Sequence, residues 1–218
     1  MFIHQHPYPP FIPFNATKLI VGTIPPPRFS SGNLFNEDVD FCYGSKYGLL
    51  WPLLNQIFDL NLEFENTQKA IEQRKLFLQK YGIGICDMVH RCQREKINAS
   101  DLGMQQIELR NLINYIKENK SISSILFMGG NSKNGPEFLF RSQLRSSGLH
   151  LITESIDRPK IHEFIFDDRN IRTISLISPS SAANRSIGAD PFYKFRKKQN
   201  KKYTTFDFRI EQYRKYFN

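Results

Sequence analysis

Four short runs of mostly apolar residues stand out along the chain, at residues 18–24, 82–86, 123–128 and 171–177. Within each run, apolar side chains occupy neighbouring positions rather than every second one. A strand with one wet face alternates apolar and polar residues, whereas a strand buried on both faces does not. The pattern therefore predicts four strands of a sheet that is covered on both sides.

Apolar residues at spacings of three and four lie between and after these strands and predict helices. The predicted helices cover residues 47–58, 66–82, 104–119, 135–148 and 204–217. Pro52 suits the first turn of its helix, and Asn66 and Gly82 suit the cap and the end of the next one. Residues 153–170 are compatible with an added hairpin or an edge strand, and the pattern does not place them.

Strands that alternate with helices favour right-handed crossovers and a parallel sheet with helices on its faces. A length of 218 residues without an internal repeat fits one domain. Within residues 1–218, we expect residues 1–16 to form an extended arm. Residues 193–218 are expected to form a basic segment that ends in a helix.

The composition narrows the class of protein. Hydrophobic residues make up 40% of the chain, but no apolar run is long enough to span a membrane, and no secretory signal is expected. The three cysteines form no C-x-x-C pair, which favours reduced thiols in a cytoplasmic protein over a zinc site. His4 and His6 alone are weak evidence for a metal. Dinucleotide and P-loop glycine motifs are absent, so no cofactor is expected.

Basic residues outnumber acidic ones by 30 to 21, which gives a formal net charge of +9. Such a charge favours a polyanionic partner such as nucleic acid, because binding releases counterions from phosphates. The excess is concentrated in residues 193–203, which contain six basic residues and no acid. A run of this kind is usually a solvated face or a mobile linker.

Small and polar residues follow each predicted strand. They are residues 22–33, Asp87, residues 129–135 and residues 178–186. In open sheets of this class, ligands bind outside the carboxyl ends of the parallel strands. The topology alone therefore predicts that glycine, serine, asparagine and one acid converge on a binding site at this edge.

Three stretches also resemble a known family. They are "LIVGTIPPP", "FCYGSKYGLLWPLL" and "SPSSAANRSIG", which lie in this order across residues 17–187. Together they are similar to the uracil-DNA glycosylase superfamily, and most similar to its mismatch-specific and hypoxanthine-type branches. The resemblance implies a three-layer α/β/α sandwich with a central, mainly parallel four-stranded sheet. It also implies a monomeric bacterial enzyme of base excision repair, bound to DNA near the nucleoid, that removes a deaminated or mismatched base without metal or cofactor.

The resemblance assigns roles to a Gly-x-x-Pro loop, here Gly22, Thr23, Ile24 and Pro25, which would border the base. Many relatives carry Asp or Asn directly before the proline to orient the attacking water, and this chain carries Ile24 instead. A second polar position of some relatives corresponds to Gly48. Both of the expected water-orienting groups are therefore replaced by residues that cannot take that role.

The aromatic residue that stacks on a flipped base corresponds to Tyr43, with Phe41 as the alternative. Asp87 takes the position that reads the Watson–Crick edge, where an ionised carboxylate accepts N–H groups. A helix cap or an ion pair with Arg91 or Arg94 is the other interpretation of Asp87. Phe41 could equally belong to the core beside the tryptophan.

The last stretch would hold the leaving base and the DNA strand. Ser178 stands where relatives often place a histidine that donates to the base carbonyl, so backbone N–H groups could share this catalytic role. The resemblance assigns DNA contacts to Pro179, Ser180, Ser181, Asn184 and Arg185. A surface ion pair is the alternative for the arginine.

For the water-orienting group, the long first loop offers Asp38, Asp40, Asn33 and Ser45, and Asp40 is favoured because it is close in sequence to Tyr43. A DNA- or nucleotide-binding module that has lost its chemistry is the main alternative to a glycosylase. A small-molecule hydrolase has less support, because the chain lacks a G-x-S-x-G elbow.

Overall fold

The computed structural model describes residues 1–97 and 100–217. Its strands are β1 (Phe2–Gln5), β2 (Lys18–Gly22), β3 (Ile83–Asp87), β4 (Val89–Arg94), β5 (Met104–Leu109), β6 (Ser124–Phe127), β7 (Ile152–Ser155), β8 (Lys160–Phe166) and β9 (Arg169–Ser175). Its helices are α1 (Pro27–Ser30), α2 (Leu50–Phe58), α3 (Gln68–Lys80), α4 (Leu112–Glu118), α5 (Pro136–Ser146), α6 (Asn184–Ala189), α7 (Pro191–Gln199) and α8 (Thr205–Phe217).

The main sheet has six strands in the order β3-β2-β6-β9-β8-β7. The four predicted strands are neighbours within it, and β3, β2, β6 and β9 run parallel. The strands β8 and β7 continue the sheet in antiparallel fashion. The expectation of a four-stranded sheet is therefore wrong, because the sheet is mixed and has six strands.

The two additional strands come from residues 153–170, which the hydrophobic pattern leaves unplaced. A two-residue turn joins β8 to β9, and both turn residues, Asp167 and Asp168, have positive φ angles of 49° and 57°. Aspartate tolerates this conformation, which matches the twist of a tight hairpin. The segment is thus both a hairpin and the edge of the sheet.

A second, antiparallel sheet has the order β1-β4-β5. It overturns the predicted helix over residues 104–119, since residues 104–109 form β5 and only Leu112–Glu118 is helical. Irregular register between β4 and β5 explains the error. A bulge shifts the inward positions of a strand, so Met104 and Ile107 acquire a helix-like spacing of three.

Apolar clusters cover both faces of the main sheet, which gives three layers. Ile20 and Leu126 belong to one cluster with residues of α2, α3 and α8. Leu19 and Phe127, which point the other way, belong to a second cluster with residues of α4 and α5. The mixed α/β architecture with helices on both faces agrees with the prediction.

Helix ends follow local sequence signals with one correction. Thr67, and not Asn66, caps α3, since its hydroxyl oxygen accepts the N–H of Ala70 at 3.2 Å. Gly82 follows α3 with a φ of 59°, a conformation that glycine adopts without strain.

The basic run at residues 193–203 lies largely in α7 rather than in a linker. Asp190 caps this helix, and Tyr193 packs against Tyr203 and Phe208. Across the described ranges, none of the helices combines the length and the apolar character that crossing a membrane requires.

Candidate functional site

Gly22 and Asp87 are the last residues of β2 and β3, and they lie opposite each other in parallel register. A β-carbon on Gly22 would lie 1.8 Å from the hydroxyl oxygen of Tyr43 and 2.5 Å from Oδ1 of Asp87. Because Gly22 has no side chain, both polar atoms have room beside it at the strand ends. Both atoms are buried, and neither has a hydrogen-bond partner within the described part of the chain.

Tyr43 reaches this position from a tight loop. Its φ is 59°, which a large side chain seldom adopts, and the loop closes through a 2.7 Å bond from the N–H of Val39 to the carbonyl of Gly44. Burial, and secondarily the charge of Asp87, raises the pKa of Tyr43. The hydroxyl therefore keeps its proton and can donate a hydrogen bond.

Phe41, the alternative aromatic residue, lies elsewhere. Only 6% of its surface is exposed, and its ring contacts those of Tyr8, Phe11 and Trp51. Tyr43 is therefore the member of the pair that the structure places beside Gly22.

The carboxylate of Asp87 is held by His6, which the sequence suggested only as weak evidence for a metal. Nε2 of His6 lies 2.9 Å from Oδ2 of Asp87, and both side chains are buried. Nδ1 of His6 accepts the backbone N–H of Tyr8 at 3.1 Å. Because Nδ1 accepts a hydrogen bond, Nε2 carries the ring proton and donates a hydrogen bond to Asp87.

The competing ion pairs for Asp87 do not form. Arg91 pairs with Glu108 at 2.6 Å, and Nε of Arg94 donates to Nδ1 of His4 at 2.8 Å. Asp87 therefore keeps Oδ1 free of protein partners within residues 1–97 and 100–217.

A further carboxylate contacts the Gly-x-x-Pro loop. The hydroxyl of Thr23 donates to Oδ2 of Asp101 at 3.0 Å. Burial is the main cause that raises the pKa of Asp101 to about 6, and the charge of Asp87 acts in the same direction. Ile24 packs in the second apolar cluster of the main sheet, and Pro25 is buried. No sequence pattern pointed to Asp101, because the loop before β5 carries no motif.

Among the residues of the first loop, Asp38 has a structural role. Its carboxylate accepts Nε and Nη2 of Arg28 and the backbone N–H groups of Phe35 and Lys46 at 2.7 to 2.9 Å. Although burial alone would raise the pKa of Asp38, these bonds lower it. Four hydrogen bonds leave this carboxylate no capacity to orient water.

The other candidates of the first loop lie near its surface. Asp40 is exposed, and its Oδ1 accepts the hydroxyl of Tyr8 at 2.6 Å. Nη2 of Arg28 also donates to the hydroxyl of Ser45, and the exposed side chain of Asn33 donates to Ser31.

The loop after β9 is shaped by a buried arginine of α8. Nε of Arg209 donates to the carbonyl of Ser178 at 3.1 Å, and Nη2 donates to that of Ser180 at 2.7 Å. Its Nη1 donates to Oδ1 of Asn184 at 2.9 Å. Arg209 was not predicted from the sequence, since an arginine in a helix with several basic residues is expected on the exposed face.

The second and third of the three stretches meet at this loop, because the N–H of Leu49 donates to the carbonyl of Pro179 at 2.8 Å. The Ser178 hydroxyl is half-buried and lies 3.5 Å from that of Ser180. Ser181 and Arg185 are exposed.

A surface cleft of about 720 Å³ lies beside this loop. It is bordered by Arg185 of α6, by Asp190 and by Arg158 of the β7–β8 connection. Arg158 forms an ion pair with Asp190 at 3.8 Å across this cleft.

Comparison with known proteins bears on this architecture. No family model and no curated protein matches the chain. The chain is similar to a solution NMR structure from Methanosarcina acetivorans whose description proposes a uracil DNA glycosylase, with a TM-score of 0.58 and 17% identity. The match covers 99% of this chain and 97% of that one.

The chain has the fold of that protein. At this level of identity, the likeness establishes the uracil-DNA-glycosylase-like fold and leaves the activity to be argued from the site. Because the match extends over nearly the whole chain, it includes the segment that carries His6 and the C-terminal helices.

Proposed function

We propose that the protein is a DNA glycosylase of the uracil-DNA glycosylase superfamily that hydrolyses the N-glycosidic bond of a deaminated or mismatched base. The observation that carries this proposal is the pair of unpartnered polar atoms at Gly22, the hydroxyl of Tyr43 and Oδ1 of Asp87. A buried polar atom without a partner costs about 1–3 kcal/mol. Two such atoms at the ligand-binding edge of a glycosylase-like sheet favour a ligand that supplies their partners.

The chemistry of this pair suits a deaminated base. Tyr43 offers a donor and Asp87 an acceptor, which together complement a ring N–H beside a carbonyl group. Deamination creates this arrangement in uracil and in hypoxanthine, whereas cytosine and adenine lack the ring N–H on that edge. Guanine and thymine share it, so their exclusion would depend on the cost of flipping, which is lowest for a mispaired base.

The proposed DNA contacts come from the segment that follows β9. Ser180, Ser181 and Arg185 lie on the loop and helix after β9, and the cleft beside them carries a second arginine, Arg158. Phosphate contacts of this type fix the register of a protein on DNA. The net charge of +9 supplies the attraction over longer distances.

Bond cleavage leaves a cationic sugar and an anionic base, and both charges need stabilisation. For the base, the donors proposed are the hydroxyl of Tyr43 and, from the opposite motif, Ser178 with its neighbouring backbone. Among the residues of the first loop, Asp40 is the one proposed to orient the water, although its Oδ1 already accepts the hydroxyl of Tyr8.

Duplexes that carry uracil, hypoxanthine or xanthine test this function. The protein, in excess, is expected to produce alkali-labile sites at one or more of these bases and none in an undamaged duplex. The absence of cleavage at every lesion would contradict the proposal.

A binding module of the same fold is the second candidate, and it is favoured by Ile24 and Gly48 at the positions where relatives carry polar groups. Gel-shift measurements on the same duplexes separate the two. Lesion-dependent binding without base loss would support the module.

A further inference from the structure

Three parts of the chain meet at Asp101. Its carboxylate accepts the hydroxyl of Thr23 from the loop after β2, and its carbonyl accepts Nδ2 of Asn134 from the loop after β6 at 3.0 Å. The carbonyl of the preceding residue, Ser100, accepts Nη1 of Arg94 at 2.6 Å. The position of this carboxylate is therefore set by contacts from two strand ends and from β4.

The loop that Asp101 contacts lacks a carboxylate of its own. Ile24 precedes Pro25 and packs into the apolar cluster below the sheet, so the loop presents no polar side chain at that point. Asp101 supplies a carboxylate beside Thr23, the residue that precedes Ile24. A group from a distant part of the sequence thus compensates for the apolar residue.

An ordinary structural role would pair Asp101 with the nearby arginine. Arg94 instead donates to His4 and to the carbonyl of Ser100, and no ion pair joins it to Asp101 among the described residues. Thr23 is the one side chain in residues 1–97 and 100–217 that hydrogen bonds to this carboxylate. A half-buried acid that forms no ion pair within the described residues fits catalysis better than support.

The charged and titratable groups that face Asp101 come from three strands. They include the thiol of Cys92 on β4, whose pKa is raised by burial first and also by the charge of Asp101. Asp87 on β3 disfavours the ionised form, and Arg94 on β4 favours it, while burial is the largest influence. His4 on β1 contacts the same arginine, and burial lowers the pKa of His4 to about 4. His4 is therefore neutral where Asp101 titrates, near pH 6.

From this geometry we infer that Asp101 is the catalytic carboxylate of the glycosylase reaction, which rests on the function proposed above. As the bond between C1′ and the base nitrogen breaks, its electron pair leaves with the base. The oxygen of a water molecule bonds to C1′, and one proton of that water passes to Asp101 and then to solvent. The departing base takes up a proton from solvent, so the step is balanced as a hydrolysis.

Asp101→Asn tests this role in single-turnover excision on a lesion duplex. Asp168→Asn, in the exposed turn between β8 and β9, removes the same charge far from the site and serves as the control. We expect Asp101→Asn to excise at least ~100-fold more slowly than Asp168→Asn, with unchanged lesion binding. Asp101→Glu, which keeps the carboxylate, is expected to recover part of the rate.

The pH profile provides a second readout. Between about pH 5 and about pH 8, the wild-type rate should rise as Asp101 ionises near pH 6 and then level off, and Asp101→Asn should lose that rise. Excision by Asp101→Asn within about twofold of the control, or loss of lesion binding together with excision, would overturn the inference. A wild-type protein that excises no base would instead refute the proposed function.

Discussion

At the scale of single residues, some site residues can be predicted from the ends of the strands, and others cannot. Gly22 and Asp87 could be predicted because they end two apolar runs, and parallel strands end at the same edge. Their proposed roles remain predictions. His6 and Asp101 could not be found, since each reaches the site through pairing that no local pattern encodes.

Gly22 is expected to tolerate no side chain. In Gly22→Ala, the new β-carbon would lie 1.8 Å from the hydroxyl oxygen of Tyr43, so the ring must move away from Asp87. Excision should fall by ~100-fold, with a loss of about 1–3 kcal/mol in the free energy of unfolding. The control is Ser142→Ala, at an exposed position of α5 outside the loops that end the strands. Equal excision rates for the two variants would contradict the assigned pocket.

At the scale of elements, long-range pairing decides where local patterns fail. The strand β5 has helix-like spacing, but its bulged pairing with β4 makes it extended. By contrast, α3, α5 and α8 follow their predicted ranges closely, because each buries one face against the sheet. The small sheet bears on the proposed site, since β1 leads directly into His6 and the turn before β5 carries Asp101.

The hydrogen bonds of Arg209 link α8 to the loop after β9, and this link, the brace, can be tested. Arg209→Met removes the hydrogen bonds to Ser178, Ser180 and Asn184, although the carbonyl of Ser180 keeps the N–H of Ala183 as a partner. The expected loss is about 2–4 kcal/mol in the free energy of unfolding, measured by urea denaturation, with weaker DNA binding. Arg214→Met, exposed on the same helix, should have little effect. Matching denaturation midpoints for the two variants would rule out the brace.

At the scale of the whole molecule, the sequence predicts a charged protein with helices on both faces of its sheet, and the fold agrees with this. The edge hairpin could not be placed, because its alternating, charge-rich strands resemble a surface loop. The basic run proved to be the helix α7, with Lys194 and Lys198 exposed. Because α7 directly follows the loop proposed to contact DNA, we propose that it extends that phosphate-binding surface.

Salt titration tests this surface. Lys194→Ala with Lys198→Ala should reduce the slope of log K against log salt by about 2, because each lost phosphate contact contributes about one unit. Lys117→Ala with Lys120→Ala removes the same charge at the end of α4, which is remote from the proposed site, and should leave the slope unchanged. Equal slopes for both pairs would place DNA elsewhere.

The central claim is that the protein excises a base from DNA and that Asp87 recognises this base through a hydrogen bond. The most direct measurement is mass-spectrometric detection of the free base after wild-type protein and Asp87→Asn have been incubated, in excess, with uracil and hypoxanthine duplexes. The account predicts free base from the wild type and an altered ratio of uracil to hypoxanthine release from Asp87→Asn, because an amide also donates hydrogen bonds. Intact duplexes with bound wild-type protein, or a ratio that Asp87→Asn leaves unchanged, would contradict it.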